Sequence, residues 1–357
     1  MKRIGTILKR IGKFLLWTIL VLVLLGGSLF IWLRSDPPTV TECEGDMRMV
    51  EHAAGASCVP ADGGTLFAVS PTASQFYLAI GYPAVLRIDT YDNMIAADIP
   101  GLPEWMDEVN DGARQLELDA GFAVAPALEV LLQVDPDLIV SGMNGDELNR
   151  ALSAIAPVIQ LGFTESWKEN MLQAGDVIGE GETAAEMLAA YEERLEILKA
   201  QFDDPSQITV SHVRVFPERN DLQLPDTFAG QIIADAGFSF PEEHLELAES
   251  STDKIRVTVS DERMDLLDAD IVFLYPGFNN SNLEEAGSSS VAVLENLQAD
   301  PLFQTLSAAE NGTVSEVGVY WTVSGIYSAH YILDDLFRHV AGVDPEEVAP
   351  NPLLLSN

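Results

Sequence analysis

A few basic side chains at the ends of predicted strands are the groups best suited to hold a ligand in this sequence. The chain has 19 Lys and Arg against 56 Asp and Glu, so an Arg in such a position stands out. Arg214 follows His212 by two positions, and both side chains therefore point to the same side of an extended strand. Because guanidinium groups bind carboxylate and related oxygen groups, the pair predicts a cleft for an anionic or oxygen-rich ligand. Pairing of Arg214 with a nearby acid is the alternative.

Further candidates for the cleft also lie at or just after the ends of predicted strands. Arg87 ends an earlier strand, and it too either binds a ligand or pairs with an acid. Aromatic side chains nearby could form apolar walls of the cleft, or else fill the core, as large aromatic side chains commonly do. The candidates of this kind are Tyr91, Phe216, Tyr275, Tyr320 and Trp321.

The motifs of common enzyme classes are missing from the sequence. It contains no Gly-x-Ser-x-Gly turn, no phosphate-binding loop and no His-Glu-x-x-His pair. Its five histidines are scattered without the spacing of a zinc site. The sequence therefore gives no sign of an enzyme, of a directly bound metal or of an intrinsic cofactor. A membrane-anchored hydrolase on an α/β scaffold is the distant alternative.

The first 33 residues differ in character from the rest of the chain. Residues 1–13 carry five basic side chains and no acid, and residues 14–33 form an uncharged apolar run of 20 residues. Such a run can cross a hydrocarbon core about 30 Å thick, and basic residues before it favour a cytoplasmic N-terminus. A cleavable signal is the rival interpretation, but its apolar part is usually about 7–15 residues long. We expect a single-pass plasma-membrane anchor, with the remainder on the extracytoplasmic side.

The part of the chain beyond the apolar run is strongly acidic and contains both cysteines. Six of the 19 basic residues lie in the first 35 positions and no acid does, which leaves 13 basic residues against 56 acids and a net charge near −43. Such a charge excludes nucleic acid as a partner. Cys43 and Cys58 are 15 positions apart, and two cysteines in an oxidising compartment favour a disulfide over a metal site.

Two helical patterns occupy the middle of the chain. Ser166 and Glu169 form a capping-box pattern that opens a short helix ending near Gly179. Thr183 and Glu186 repeat that pattern before a longer amphipathic run, which proline ends at position 205. The second helix is long enough to span a small domain, at about 1.5 Å per residue.

A similar unit occurs on each side of these helices. Both units have a Glu, then Asp-x-Asp leading into an apolar strand, with Glu129 and Asp137 in one and Glu262 and Asp270 in the other. The spacing is identical, so the sequence predicts two lobes of like construction, although any α/β protein repeats such units. Strands alternating with helices predict parallel sheets with helices on both faces. Ligands of open α/β sheets bind at the carboxyl ends of the strands, where the sequence predicts loops that include 214–226.

Nine short stretches occur in the same order as in a known family. Together they resemble the iron–siderophore solute-binding proteins that feed ABC importers. The stretches are 48–55, 127–140, 155–158 with 167–169, 213–217, 226–237, 267–272, 300–303, 311–314 and 321–336.

This resemblance implies two three-layer αβα lobes joined by a rigid long helix, with a ferric siderophore in the cleft between them and Fe³⁺ present only as part of that cargo. It also implies that Glu129 and Glu262 dock to an ABC permease, which works with its ATPase, that Arg214 contacts the chelate, and that the protein is a monomer. The acidity of the chain favours a neutral hydroxamate chelate over an anionic catecholate. Haem, cobalamin or another metal chelate is the alternative cargo, with Tyr275, Tyr320 or His212 as a haem ligand.

The sequence predicts the following division of the chain: a cytoplasmic basic segment (1–13), a transmembrane anchor (14–33), a tether (34–58), an N-terminal lobe (59–165), a bridging helix (166–203), a C-terminal lobe (204–326), a C-terminal helix that packs back (327–342) and a tail (343–357).

Overall fold

The computed structural model of the chain describes residues 42–53, 55–68, 70–82, 85–86, 135–142, 151–161, 166–277 and 286–353. The predicted basic segment and membrane anchor lie outside these residues, as do Arg87, Tyr91 and Glu129. Among the helices that the structure describes, none combines the length and the apolar character needed to cross a bilayer.

Eleven strands lie within the described residues. They are β1 (Met47–His52), β2 (Gly55–Pro60), β3 (Leu66–Ala68), β4 (Val85–Leu86), β5 (Leu138–Ser141), β6 (Val158–Gln160), β7 (Val210–Phe216), β8 (Arg219–Gln223), β9 (Arg256–Val259), β10 (Ile271–Pro276) and β11 (Val314–Glu316).

Nine α-helices lie within the same residues. They are α1 (Pro71–Ala79), α2 (Trp167–Ile178), α3 (Gly181–Lys199), α4 (Phe228–Asp235), α5 (Glu242–Ser250), α6 (Ala286–Gln298), α7 (Ser307–Asn311), α8 (Ile326–Leu336) and α9 (Pro345–Val348). Short 3₁₀ turns cover Pro205–Gln207, Asp261–Leu267, Phe303–Thr305 and Val319–Thr322, and a π turn, Phe337–Ala341, extends α8.

The strands form two separate larger sheets. The first has the order β4-β3-β5-β6 and is parallel throughout. The second has the order β11-β10-β7-β8-β9, in which β11, β10 and β7 are parallel but β8 and β9 are antiparallel. The sequence interpretation of 214–226 as a loop after β7 was therefore wrong. Its mostly polar residues form the strand β8 of a hairpin, because Asp221 on that strand is buried with polar partners of its own.

Each face of the second sheet packs against its own layer. Val213, Val272 and Leu274 point to one apolar cluster, which includes side chains of α6 and α7. Phe273 and Tyr275 point to the other cluster, which continues through α4 and α8 into α2 and the first sheet. This alternation along each strand, with one set of side chains toward each helical layer, gives the three-layer arrangement.

The repeated Asp-x-Asp units have the same structural role in both sheets. Asp137 accepts a hydrogen bond from the backbone N–H of Thr65, which immediately precedes β3, at 2.9 Å. Asp270 accepts one from the backbone N–H of Thr209, which immediately precedes β7, at 2.8 Å. In each sheet the strand that follows the Asp is the parallel partner of the strand whose start it caps. The repeat therefore joins equivalent strand pairs in the two sheets.

Replacing Asp270 with Ala should weaken the start of β7. The carboxylate also accepts from the Thr209 hydroxyl at 2.8 Å, so the substitution removes two hydrogen bonds near the surface. We expect the free energy of unfolding to fall by about 1–2 kcal/mol, measured by urea denaturation. Glu193→Ala removes an exposed carboxylate from the middle of α3 and is the control. Equal stability of the two variants would contradict this role.

The helices α2 and α3 connect the two sheets in the chain. Ser166 caps α2 in the predicted capping box with Glu169, and Gly179 ends it in the left-handed conformation. The second predicted cap was wrong: α3 begins at Gly181, and Thr183 lies inside it with its hydroxyl donating to Glu180. A helix can begin without a side-chain cap when packing stabilises it, and α3 packs on α2 and α8.

The helix α2 contacts elements from both sheets. On one side, the Tyr77 hydroxyl of α1 donates to the carbonyl of Ala174 at 3.1 Å. On the other, the Trp167 ring stacks edge-on against Phe228 of α4 with 5.7 Å between ring centroids. Lys168 adds an ion pair with Asp235 of α4 at 2.9 Å. The helix therefore fixes α1 relative to α4.

The C-terminal helix α8 packs against α1, α3 and α4. The sequence predicts a helix that packs back here, and every residue from Ile326 to Leu336 is buried. Arg194 of α3 explains how its polar side chains are accommodated: the guanidinium forms a buried ion pair with Asp334 and donates to His330 Nδ1 at 2.9 Å. It also donates to the carbonyl of Ala349 at 2.8 Å. Asp334 and His330 are thus accommodated in a fully buried helix because α3 supplies their partner.

The hairpin β1–β2 packs on the edge strand β6. Ala53 donates to the carbonyl of Gln160 at 3.1 Å, and the Ser57 hydroxyl donates to the carbonyl of Val158 at 3.0 Å. A disulfide joins Cys43 to Cys58 of β2, with 5.7 Å between their Cα atoms. The bond therefore fixes the segment before β1 to the hairpin, and the hairpin covers a sheet edge that would otherwise be open.

Candidate functional site

The carboxyl ends of the parallel strands converge on one seam between the two sheets. Ser70 follows β3 and begins α1, whereas Ser324 follows β11 and the 3₁₀ turn Val319–Thr322. The hydroxyls of Thr72 and Ser324 lie 2.9 Å apart, so these two ends are in direct contact. Since open α/β sheets bind ligands outside the carboxyl ends of their strands, this seam is the candidate site.

Gln75 holds the base of the seam together. Its Nε2 donates to the Ser328 hydroxyl at 3.0 Å, and its Oε1 accepts from the backbone N–H of Ser328 at 3.1 Å. That N–H belongs to the first turn of α8, whose own N-cap residue is Gly325 and supplies no side-chain bond. A Cβ at position 325 would overlap the Gln75 side-chain amide. A residue of α1 therefore caps α8, and glycine leaves the space for it.

The open end of the second sheet carries the candidate ligand-binding side chains. Arg214 of β7 pairs with Asp221 of β8, and Phe216 of β7 pairs with Arg219 of β8. Directly paired residues share one face of an antiparallel ladder, so all four side chains lie on the same side of the hairpin. Gly277 follows β10 on the same rim, where a Cβ would lie 2.6 Å from the Phe216 ring. The rim thus places two arginines around one aromatic ring.

The distances confirm that these groups form one cluster. The guanidinium carbon of Arg219 is 3.9 Å from the centroid of Phe216, and that of Arg214 is 5.0 Å from it. Both values fall within the range in which a cation is attracted to an aromatic face. Such a surface suits carboxylate or phenolate oxygens, which accept hydrogen bonds from guanidinium groups.

Asp221 fixes the orientation of Arg219. Its two oxygens accept from Arg219 Nε at 3.1 and 3.0 Å, and one of them also accepts from the Thr258 hydroxyl of β9 at 2.6 Å. The Asp221 side chain is 1% exposed, whereas that of Arg219 is 38% exposed. A buried carboxylate held by two strands thus anchors the inner edge of a guanidinium that reaches solvent.

His212 lies beneath this rim, not on it. The ring is completely buried, with Nδ1 3.3 Å from the Tyr275 hydroxyl and Nε2 3.4 Å from the Thr227 hydroxyl. Burial lowers the pKa of His212 to about 3, and the nearby His244 adds to that effect. The ring is therefore neutral at physiological pH. It shares a strand face with Arg214, as predicted, but it fills the core between Tyr275 and Trp321.

Tyr275, Tyr320 and Trp321 also point into the core. Tyr275 is buried against Trp321, and burial raises the pKa of its hydroxyl well above the ordinary value. The Tyr320 hydroxyl and the Trp321 indole N–H both donate to one oxygen of the buried Asp335 in α8, at 2.8 and 2.7 Å. These three side chains support the seam from below, and Phe216 is the predicted aromatic residue that contacts the two arginines.

The structure adds residues that the sequence interpretation missed. Arg219 and Asp221 follow the predicted strand, in a segment interpreted as a loop, and the pairing Phe216–Arg219 becomes visible only once β8 is known. Their polar alternation after a Pro-Glu turn could have indicated a hairpin. Glu262 is exposed in the 3₁₀ turn Asp261–Leu267, away from this cluster in the chain, and Arg87, Tyr91 and Glu129 lie outside the described residues.

A metal site is not formed by the part of the chain that the structure describes. No three His, Cys, Asp or Glu side chains in it are grouped so that they could hold an ion. The cluster around Phe216 is suited to a ligand with oxygen acceptors, since its two arginines are hydrogen-bond donors.

Comparison with known proteins places the chain beside binding proteins. The model of the periplasmic binding protein family matches residues 117–318. The probable siderophore-binding lipoprotein YfiY of Bacillus subtilis is 28% identical over 298 residues, which cover 81% of this chain and 86% of that protein. The ferric enterobactin-binding periplasmic protein FepB of Escherichia coli is 26% identical over 297 residues, covering 81% of this chain and 89% of that protein.

A solved structure shows the same fold. The structure of Staphylococcus aureus SirA complexed with staphyloferrin B superposes with a TM-score of 0.67 at 19% sequence identity. The match covers 82% of this chain and 98% of that one. The two-sheet architecture described above is therefore shared with a known binding-protein structure.

Proposed function

Because the chain belongs to the periplasmic binding protein family, we propose that it is the extracytoplasmic substrate-binding component of an ABC importer and captures a ferric siderophore. The observation that carries the proposal is its likeness, over about four fifths of its length, to two proteins named for siderophore or ferric enterobactin binding. The two arginines around Phe216 support it, since they offer donors to an oxygen-rich chelate at the predicted cleft.

The family role is binding, and the chain is a solute-binding protein, not an enzyme. In the proposed mechanism, Arg214 holds the chelate at the seam, and the surrounding aromatic core keeps that part of the sheet rigid. Iron enters only inside the siderophore. The buried and hydrogen-bonded positions of His212, Tyr275 and Tyr320 argue against any of them as an axial haem ligand.

Delivery of the chelate is the second half of the proposed function. Glu262, exposed on the second sheet's side, and Glu129, its counterpart in the internal repeat, would dock to arginines of a permease coupled to an ATPase. The proteins to which this chain is similar are periplasmic proteins and a lipoprotein, so we place the chain outside the cytoplasm. Residues 14–33 would hold it in the plasma membrane, with the basic residues 1–13 on the cytoplasmic side.

Binding is tested with the full-length chain in detergent micelles. Tryptophan fluorescence is followed during titration with ferric citrate, a ferric tris-catecholate, a ferric tris-hydroxamate, haem and cobalamin. We expect saturable quenching by at least one ferric chelate and a loss of roughly tenfold or more in affinity for it in Arg214→Gln, since a charge-assisted hydrogen bond is worth about 1.5–3 kcal/mol.

Arg256→Gln is the matched control, because Arg256 lies on β9 of the same sheet and its ion pair with Asp253 is exposed. Its affinity should equal that of the wild type. Binding of haem or cobalamin alone, or of none of the five compounds, would contradict the proposed function.

A further inference from the structure

We propose that Arg219 is a second ligand-binding cation of the seam and that, held in place by Asp221, it selects ferric chelates with a net negative charge. This inference rests on the proposed function and adds the charge class of the cargo. It differs from the expectation of a neutral hydroxamate chelate, which follows from the overall acidity of the chain, and the experiment below distinguishes the two.

The position of Arg219 gives it access to a ligand that Arg214 also contacts. The two residues stand on adjacent antiparallel strands, two ladder positions apart, and both guanidinium groups lie near the Phe216 ring. Arg219 is the closer of the two, at 3.9 Å, and more than a third of its side chain is exposed. Since both guanidinium carbons lie within 5.0 Å of the same ring centroid, one ligand at the open edge of the hairpin can meet both cations.

The orientation of Arg219 directs its donors toward such a ligand. Asp221 accepts from Nε with both oxygens, so the carboxylate occupies the inner edge of the guanidinium. The Nη groups form the opposite edge, and they are the donors that form paired bonds with a carboxylate or a catecholate. Asp221 cannot turn away readily, because it is buried and Thr258 of the neighbouring strand donates to it. Asp221 is a positioning residue in this arrangement.

The charges of the cluster favour an anionic chelate over a neutral one. Two arginines and one aspartate give the hairpin face a local charge of +1 in a chain whose exported part is near −43. A neutral chelate gains no net electrostatic attraction from these two arginines. It also has no need of an arginine that the buried Asp221 holds in one orientation. A chelate carrying carboxylates or ionised catechols gains both the attraction and the paired hydrogen bonds.

The test compares Arg219→Gln and Asp221→Asn with the wild type, all as full-length chains in detergent micelles. Ferric citrate and a ferric tris-catecholate are the anionic probes, and a ferric tris-hydroxamate is the neutral one. We expect Arg219→Gln to lose about tenfold in affinity for the anionic chelate that the wild type binds best, with no change for the neutral chelate. Asp221→Asn should lose less, about threefold, and Arg219→Lys should be intermediate, since it keeps the charge but not the planar fork.

Salt dependence separates ligand contact from a structural role. The affinity of the wild type for the anionic chelate should fall with added NaCl, and Arg219→Gln should reduce that slope, whereas Arg256→Gln should not. Equal losses for anionic and neutral chelates, an unchanged affinity in Arg219→Gln, or a wild type that binds only the neutral chelate would each overturn this inference and leave the proposed function intact. A wild type that binds none of the ferric chelates would overturn both.

Discussion

Replacing Arg194 with Met is expected to lower the free energy of unfolding by about 3–5 kcal/mol, because it leaves a buried carboxylate without its counter-ion. Arg194 and Asp334 are both almost fully buried, so water cannot replace the lost partner. The same substitution removes the donors to His330 Nδ1 and to the carbonyl of Ala349. Burial, together with the Arg194 charge, holds the pKa of His330 well below its ordinary value, so that ring is a neutral acceptor. The measurement is urea denaturation followed by circular dichroism.

Two further variants make the Arg194 result specific. Lys199→Met removes an exposed ion pair with Glu196 on the same helix, and exposed pairs contribute only about 0–1 kcal/mol. The double variant Arg194→Met with Asp334→Leu removes both buried charges and should recover much of the loss. A loss in Arg194→Met no larger than that in Lys199→Met would contradict a stabilising role for the network between α3 and α8.

In the wild type, the free energy of unfolding is expected to fall by up to about 4 kcal/mol as the pH rises and Asp335 ionises. Replacing Asp335 with Asn should abolish this loss. Burial raises the pKa of Asp335 to about 7, although the hydrogen bonds from Trp321 and Tyr320 act in the opposite direction. Arg338 also lowers this pKa, and the neighbouring Asp334 raises it. In the unfolded chain an Asp has a pKa of about 3.9, so the shift spans about 3 pH units, at about 1.4 kcal/mol for each.

The stability of the wild type falls with rising pH because its folded and unfolded states bind different numbers of protons. Between about pH 4 and pH 7 the folded protein holds a proton on Asp335 that the unfolded chain has released, so its stability falls as the pH rises through this window and levels off above it. Asparagine is neutral and keeps an oxygen that can accept from both donors. The stability of Asp335→Asn relative to the wild type should therefore increase from pH 4 to pH 8.

Urea denaturation of both proteins across this range gives the difference directly, since the other titrating groups contribute equally to both. Asp335→Ala is the control: it also lacks the titrating group, but it removes the acceptor of Tyr320 and Trp321, so it should be less stable than Asp335→Asn at every pH. Parallel pH profiles for the wild type and Asp335→Asn would show that Asp335 does not titrate in this window.

Local patterns in the sequence predict the parts of the fold that depend on near neighbours. The capping box at Ser166, the glycine that ends α2 and the alternation of strands with helices all depend on residues within a few positions. The Asp-x-Asp repeat is also local, and the structure gives it a common role in capping β3 and β7.

The features that the sequence does not predict depend on distant partners. The strand β8 consists of polar residues whose burial is made possible by Thr258 and by the paired strand β7. The complete burial of α8 requires Arg194, which is 140 positions before Asp334. Arg214 was recognised because basic residues are scarce, whereas Arg219 joins it only through strand pairing. A search of one sequence for periodicity has no access to such contacts.

The cap that Gln75 provides for α8 has a consequence for the order in which the chain folds. The two residues in this contact, Gln75 and Ser328, are separated by 253 positions, so the first turn of α8 cannot be completed until α1 is in place. Contacts between such distant positions carry a large loop-closure entropy and form late. Because a chain folds from its earlier parts onward, we expect α1 to form before α8 and its Gln75 to lack the Ser328 partner until α8 packs against it.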